Sequence, residues 1–105
     1  MHNKLENNYK VLKEIQNNPN TSQRKLAKEV GFSLGKLNYC LKALQQKGLI
    51  KIDNFKKNPN KISYAYILTP KGIKKKAKLT MNFMIRKMKE YDELKEELIK
   101  EKKKN

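Results

Sequence analysis

The sequence contains one cysteine, one histidine and two arginines, and it is short of acid. A lone thiol, Cys40, excludes an internal disulfide and a cysteine metal cluster. With His2 as the sole imidazole there is no Ser/His/Asp set, and no metal-ligand cluster or phosphate-cradling glycine-rich loop is present. The chain is therefore expected to be no enzyme and to need no cofactor or metal. No apolar run approaches the ~20 residues of a membrane span. The first residues, Met1 to Glu6, lack the apolar stretch of a secretory signal. These absences predict a cytoplasmic protein with no membrane role. Acidic residues number 10 against 26 basic ones, for a net charge of +16. Such a surplus repels itself in a compact fold and attracts polyanions, nucleic acid first and an anionic membrane surface second. Only Arg24 and Arg86 are arginine, and asparagine is abundant. A coding bias toward AT explains lysine in place of arginine, but not the scarcity of acid.

The 105 residues allow one compact unit with a modest core, which oligomerisation would reinforce. Residues 3 to 17 carry Leu5, Tyr9, Leu12 and Ile15, with Val11 alongside, at helical spacing up to the breaker Asn17-Asn18-Pro19-Asn20. Thr21 or Ser22 is placed to cap a short helix whose inner face is Leu26, Ala27 and Val30, and Gly31 stops it. Ser33 caps a further helix that runs to about Lys47 and ends at Gly48. Leu49 to Ile52 reads as a strand, Phe55 to Lys61 as a turn carrying Lys56, Lys57 and Lys61, and Ile62 to Leu68 as the returning strand. Thr69-Pro70 then opens a last helix, from about residue 70 to 102, roughly 50 Å long at 1.5 Å per residue.

The short helix, turn and following helix have a mechanical logic. Two helices that meet steeply need a small residue at their approach, supplied by Ala27, and a turn residue tolerant of positive φ, supplied by Gly31. Leu26 and Val30 on one side and Leu34, Leu37, Leu41 and Leu44 on the other hold them together, with Cys40 at the stripe's edge as a small buried hydrophobe. At 100° per residue the opposite face carries Gly35, Asn38, Tyr39, Lys42 and Gln46, with Lys36 on its flank. Asparagine pairs bidentately with adenine, lysine contacts guanine or phosphate, and tyrosine contacts phosphate or a thymine methyl, while Gly35 leaves room for close approach. An ordinary solvated helix face has a similar composition. The Ala27/Gly31 spacing and the basic hairpin that follows favour groove reading. The unit from Gln23 to Leu44 is thus read as a DNA-entering helix-turn-helix, with backbone contacts from Ser22, Gln23, Arg24, Ser33 and the wing lysines.

The run Thr21 to Gly31, then Lys36-Leu37 to Leu44, Lys47-Gly48-Leu49-Ile50 and Ile67 to Gly72, resembles the winged-helix regulators of the MarR type. The stretches Ser33 to Leu44, Asn60-Lys61, Tyr64-Ala65-Tyr66 and Leu68 to Ile73 resemble more narrowly the MarR family EPS-associated transcriptional regulators. The resemblance implies a homodimer on a pseudo-palindromic operator, with the second helix of the unit in the major groove and the wing on backbone or minor groove. The chain departs from the family in being shorter, in carrying lysines where larger members often have wing arginines, and in having one C-terminal helix. The last point puts the phenolic-ligand pocket of larger members in question, so a small-molecule effector is left open.

From Asp53 to Glu90 there is no intervening acidic residue, whereas Asp92, Glu93, Glu96, Glu97 and Glu101 crowd the last turns. These acids either pair within their own helix or meet the basic half of a partner helix running antiparallel. The last helix also carries an apolar series, Ile73, Ala77, Met81, Met84, Met88, Tyr91, Leu94 and Leu98, with Phe83, Ile85 and Ile99 beside it. One small unit cannot cover a stripe that long, and a two-fold dimer is the simplest cover. The expected fold is mainly α with a small β-hairpin: a winged helix-turn-helix domain over 1–69 and a long C-terminal dimerisation helix over 70–105. The expected function is sequence-specific binding of double-stranded DNA by a homodimeric transcriptional regulator, with helix 33–47 in the major groove and wing 53–62 on the backbone or minor groove. A winged-helix module for protein or RNA is the alternative.

Overall fold

Three hydroxyl residues each stand in extended backbone just ahead of a helix. Ser22, Ser33 and Thr69 accept from the amides of Lys25 at 3.2 Å, Lys36 at 3.1 Å and Gly72 at 3.0 Å. Each pairs a donor that a helix N-terminus otherwise leaves open, worth about 1 kcal/mol. The computed structural model describes residues 3–19, 21–52 and 65–104. Its elements are α1 (Asn3–Asn17), α2 (Gln23–Val30), α3 (Leu34–Gln46), β1 (Ile50–Ile52), β2 (Tyr66–Leu68) and α4 (Pro70–Lys103). The fold is mainly α with a small antiparallel hairpin, as expected.

The helix ends follow from glycine. Gly31 takes φ 76° after α2, and the Phe32 amide donates back to the Ala27 carbonyl at 2.9 Å. Gly48 takes φ 74° after α3, with the Leu49 amide on the Leu44 carbonyl at 3.0 Å. Both turns use the left-handed backbone that glycine enters without a Cβ penalty. Leu49, expected to begin the strand, is occupied by this closure instead. Its carbonyl accepts the Thr69 amide at 3.0 Å, one step beyond the β1–β2 ladder of Ile50 with Leu68, Lys51 with Ile67 and Ile52 with Tyr66. Of the expected returning strand, Ile62 to Tyr64 lie outside the described residues, as do the wing lysines Lys56, Lys57 and Lys61.

The core is assembled around α1, which touches α2, α3, α4 and β2. Val11, Leu12 and Ile15 meet Leu26 and Ala27 of α2, Leu37, Cys40, Leu41 and Leu44 of α3, then Leu49, Ile50, Tyr66 and Leu79. Full burial of each larger apolar side chain contributes about 2 kcal/mol. Two apolar residues at helical spacing, Leu5 and the expected anchor Leu34, stay outside this core. Leu5 is exposed: it lies on the same side of α1 but in the first turn, ahead of the packing line Asn8, Val11, Leu12 and Ile15. Leu34 is also exposed: it is the first residue of α3, one turn ahead of the packing line that begins at Leu37.

Helix α4 has two different faces. Gly72 and Leu79 are buried on the core, and Phe83 meets Tyr9 edge-on, with ring centroids 5.2 Å apart. Arg86 reaches Glu6 at 3.5 Å, a half-exposed pair worth less than about 1 kcal/mol. Phe83, expected beside the apolar series, thus belongs to the inward face. That series, from Ile73 and Ala77 through Met84 to Leu98, is exposed along its whole length. The far half of α4 extends the molecule to 66 × 25 × 23 Å.

Candidate nucleic-acid interface

The surface expected to read DNA is the outer side of α3. Leu37, Cys40, Leu41 and Leu44 point into the core, so the intervening positions must point out. Gly35, Lys36, Asn38, Tyr39 and Lys42 are all exposed. Tyr39 is 73% exposed. The structure therefore brings the expected reading residues onto one face, held rigidly by the core behind them.

Several details of this surface were hidden in the sequence. The Lys36 ammonium lies 4.2 Å from the centroid of the Phe32 ring, a cation–π contact that gathers its charge at the N-terminal end of α3. Ser22 and Ser33 spend an acceptor lone pair on their caps, which leaves each hydroxyl hydrogen free in orientation. Arg24 is exposed on the first turn of α2. Gln23 is only half exposed, and its amide nitrogen donates to the Tyr66 hydroxyl at 3.0 Å. That bond ties the start of α2 to β2 across 43 positions of sequence. Nothing in the local sequence marks Tyr66 as Gln23's partner.

Burial pushes the Cys40 thiol above its ordinary value, and the nearby Lys36 charge opposes this only in part. The thiol stays protonated at neutral pH and packs as a small apolar group. Among the described residues no group of acidic, histidine and cysteine side chains is arranged to hold a metal, and no helix is long and apolar enough to cross a membrane.

Residues 4–51, which span α1, α2, α3 and the start of β1, match the model of a winged helix-turn-helix DNA-binding family. No curated protein matches the chain in sequence. Among solved structures, the chain is similar to the transcriptional repressor CouR bound to a 23-mer DNA duplex, at TM-score 0.71 and 24% identity, over 82% of this chain and 59% of that one. It is similar to Streptococcus pneumoniae FabT in complex with DNA, at TM-score 0.61 and 22% identity, over 80% and 59%. Staphylococcus aureus MarR, in complex with salicylate and kanamycin, aligns at TM-score 0.65 and 20% identity, over 85% and 57%. The chain spans somewhat more than half the length of each. Helix order, capped turns and shared architecture lead to one structural conclusion: the chain has the winged helix-turn-helix fold, in the form that MarR-type regulators have.

Proposed function

We propose that this chain is a sequence-specific double-stranded DNA-binding transcriptional regulator that acts as a homodimer. The observation that carries this reading is the outer face of α3, where Asn38, Tyr39 and Lys42 stand exposed on a helix locked from behind by Leu37, Leu41 and Leu44. A helix-turn-helix of this kind puts such a face into the major groove, where amide, ammonium and phenol groups meet base edges and phosphates. Arg24, the Ser22 and Ser33 hydroxyls and the wing lysines Lys56, Lys57 and Lys61 are assigned to the backbone, with Gln23 helping to position β2. The net charge of +16 supplies the non-specific attraction. The match to a DNA-binding family model and the likeness to two DNA complexes support the same reading.

The dimer is assigned to α4, whose exposed stripe from Ile73 to Leu98 is too long for one copy to cover. The resemblance of Ser33 to Leu44 narrows the reading to the EPS-associated members of the MarR type. Such a regulator works as a binding protein in the cytoplasm and has no catalytic step.

Selection of bound duplexes from a random DNA pool tests the proposal. The expected product is a two-fold symmetric site whose halves lie about one helical turn apart. The same selection with Asn38→Ala should yield a site degenerate at one position in each half. Recovery of no preferred duplex would remove the regulator reading and favour a module for protein or RNA.

A further inference from the structure

The exposed stripe of α4 lies about 120° round the helix, at 100° per residue, from the side that packs on the core through Gly72, Leu79 and Phe83. The two contacts therefore do not compete, and α4 can hold its own core and a second helix together. What covers the stripe is indicated by its charge. From Pro70 to Lys89 the helix has basic residues and no acid, while from Glu90 to Glu101 acids outnumber lysines. A helix of this composition repels a parallel copy of itself at both ends and attracts an antiparallel one.

We propose that the partner on this stripe is a second copy of the chain, with the two α4 helices antiparallel and Met84 set against the partner's Met88. This rests on the homodimer reading above and adds its direction and register. The same register sets Met81 against the partner's Tyr91, Ala77 beside the partner's Leu94, and Ile73 against the partner's Leu98 and Ile99. Every one of these apolar side chains is exposed in the single chain, and small Ala77 leaves room opposite it for the stem of the partner's Lys95, with the partner's Leu94 beside it. On one flank of the seam, antiparallel geometry then brings Lys74 to the partner's Glu96 and Lys78 to the partner's Asp92, each pair counted twice by the two-fold axis. On the other flank Lys87 falls near its own copy, where Glu90 of the same helix pairs with it at 3.7 Å and offsets the repulsion. Apolar register and charge register agree in this one direction. In the parallel direction Lys74 and Lys78 would flank the basic half of the partner helix and meet no acid.

The test uses the full chain with Cys40→Ala, so that the only thiols are introduced ones. Ile73→Cys and Leu98→Cys are prepared separately, each at an exposed position that the fold of one copy does not need. In the antiparallel dimer two copies of residue 98 lie about 36 Å apart along the seam at 1.5 Å per residue, and two copies of residue 73 lie farther still. Neither variant alone should form a disulfide-linked dimer, while an equal mixture should give the cross-linked 73–98 pair. Sedimentation of the unmodified chain runs in parallel and should report a dimer. Dimers in which Leu98→Cys links to itself would overturn the antiparallel assignment and leave the dimer reading standing. A chain that sediments as a monomer would overturn both, whatever the DNA selection returns.

Discussion

Gly35 isolates the difference between holding the fold and reading DNA. It is the second residue of α3, and a Cβ built there meets nothing within 4 Å. On stability alone, alanine is the better residue, by roughly 0.5–1 kcal/mol in a helix. Gly35→Ala should therefore raise the melting temperature. On the proposed function it should also weaken binding to the selected duplex, because the added methyl stands on the face assigned to the groove. A melt and a titration on the same sample check both signs, and unchanged affinity would remove Gly35 from the contact surface. At this scale the outward face of α3 was legible from spacing, since Leu37, Leu41 and Leu44 oblige Asn38, Tyr39 and Lys42 to point away. The exposure of Leu34 was not legible, because periodicity does not say on which turn packing starts.

Elements meet most tightly where α4 begins. Thr69 caps α4 through the Gly72 amide, donates its hydroxyl hydrogen to the Gly48 carbonyl at 2.6 Å, and gives its amide to the Leu49 carbonyl. One threonine thus joins the end of α3, the edge of the hairpin and the start of α4. The same Leu49 carbonyl oxygen occupies the place of a Cβ on Gly72. Gly72→Ala should cost about 2 kcal/mol or more, since backbone and not a flexible side chain must move. A denaturant titration against Lys71→Ala, one residue earlier and exposed, separates this clash from any effect on the helix itself. The sequence announced Thr69-Pro70 as a helix start, but nothing local marks Gly72 as a point of close contact. Its close approach depends on a carbonyl 23 residues earlier, which no local pattern encodes.

Over the whole molecule, charge and shape act together. If Arg24, Lys36, Lys42, Lys56, Lys57 and Lys61 each neutralise a phosphate, log K should fall against log salt with a slope of about −5 per half-site, from about 0.9 per phosphate. Affinities measured on the selected duplex from low to physiological salt check this, and a flat dependence would contradict phosphate contact by this face and wing. By itself the sequence determined the order of helices, their caps and glycine stops, the outward face of α3 and the excess of positive charge. These are local or compositional properties, set by spacing along one helix or by adding up residues. Only the tertiary structure decided which side of α4 turns inward. Leu79 and Phe83 recur at helical spacing just as Met81, Met84 and Met88 do, and either set forms an apolar stripe. Packing against Tyr9 and the α1 core chose the first set, and left the second exposed. The bond from Gln23 to Tyr66 was decided in the same way, because folding alone brings those two residues within reach.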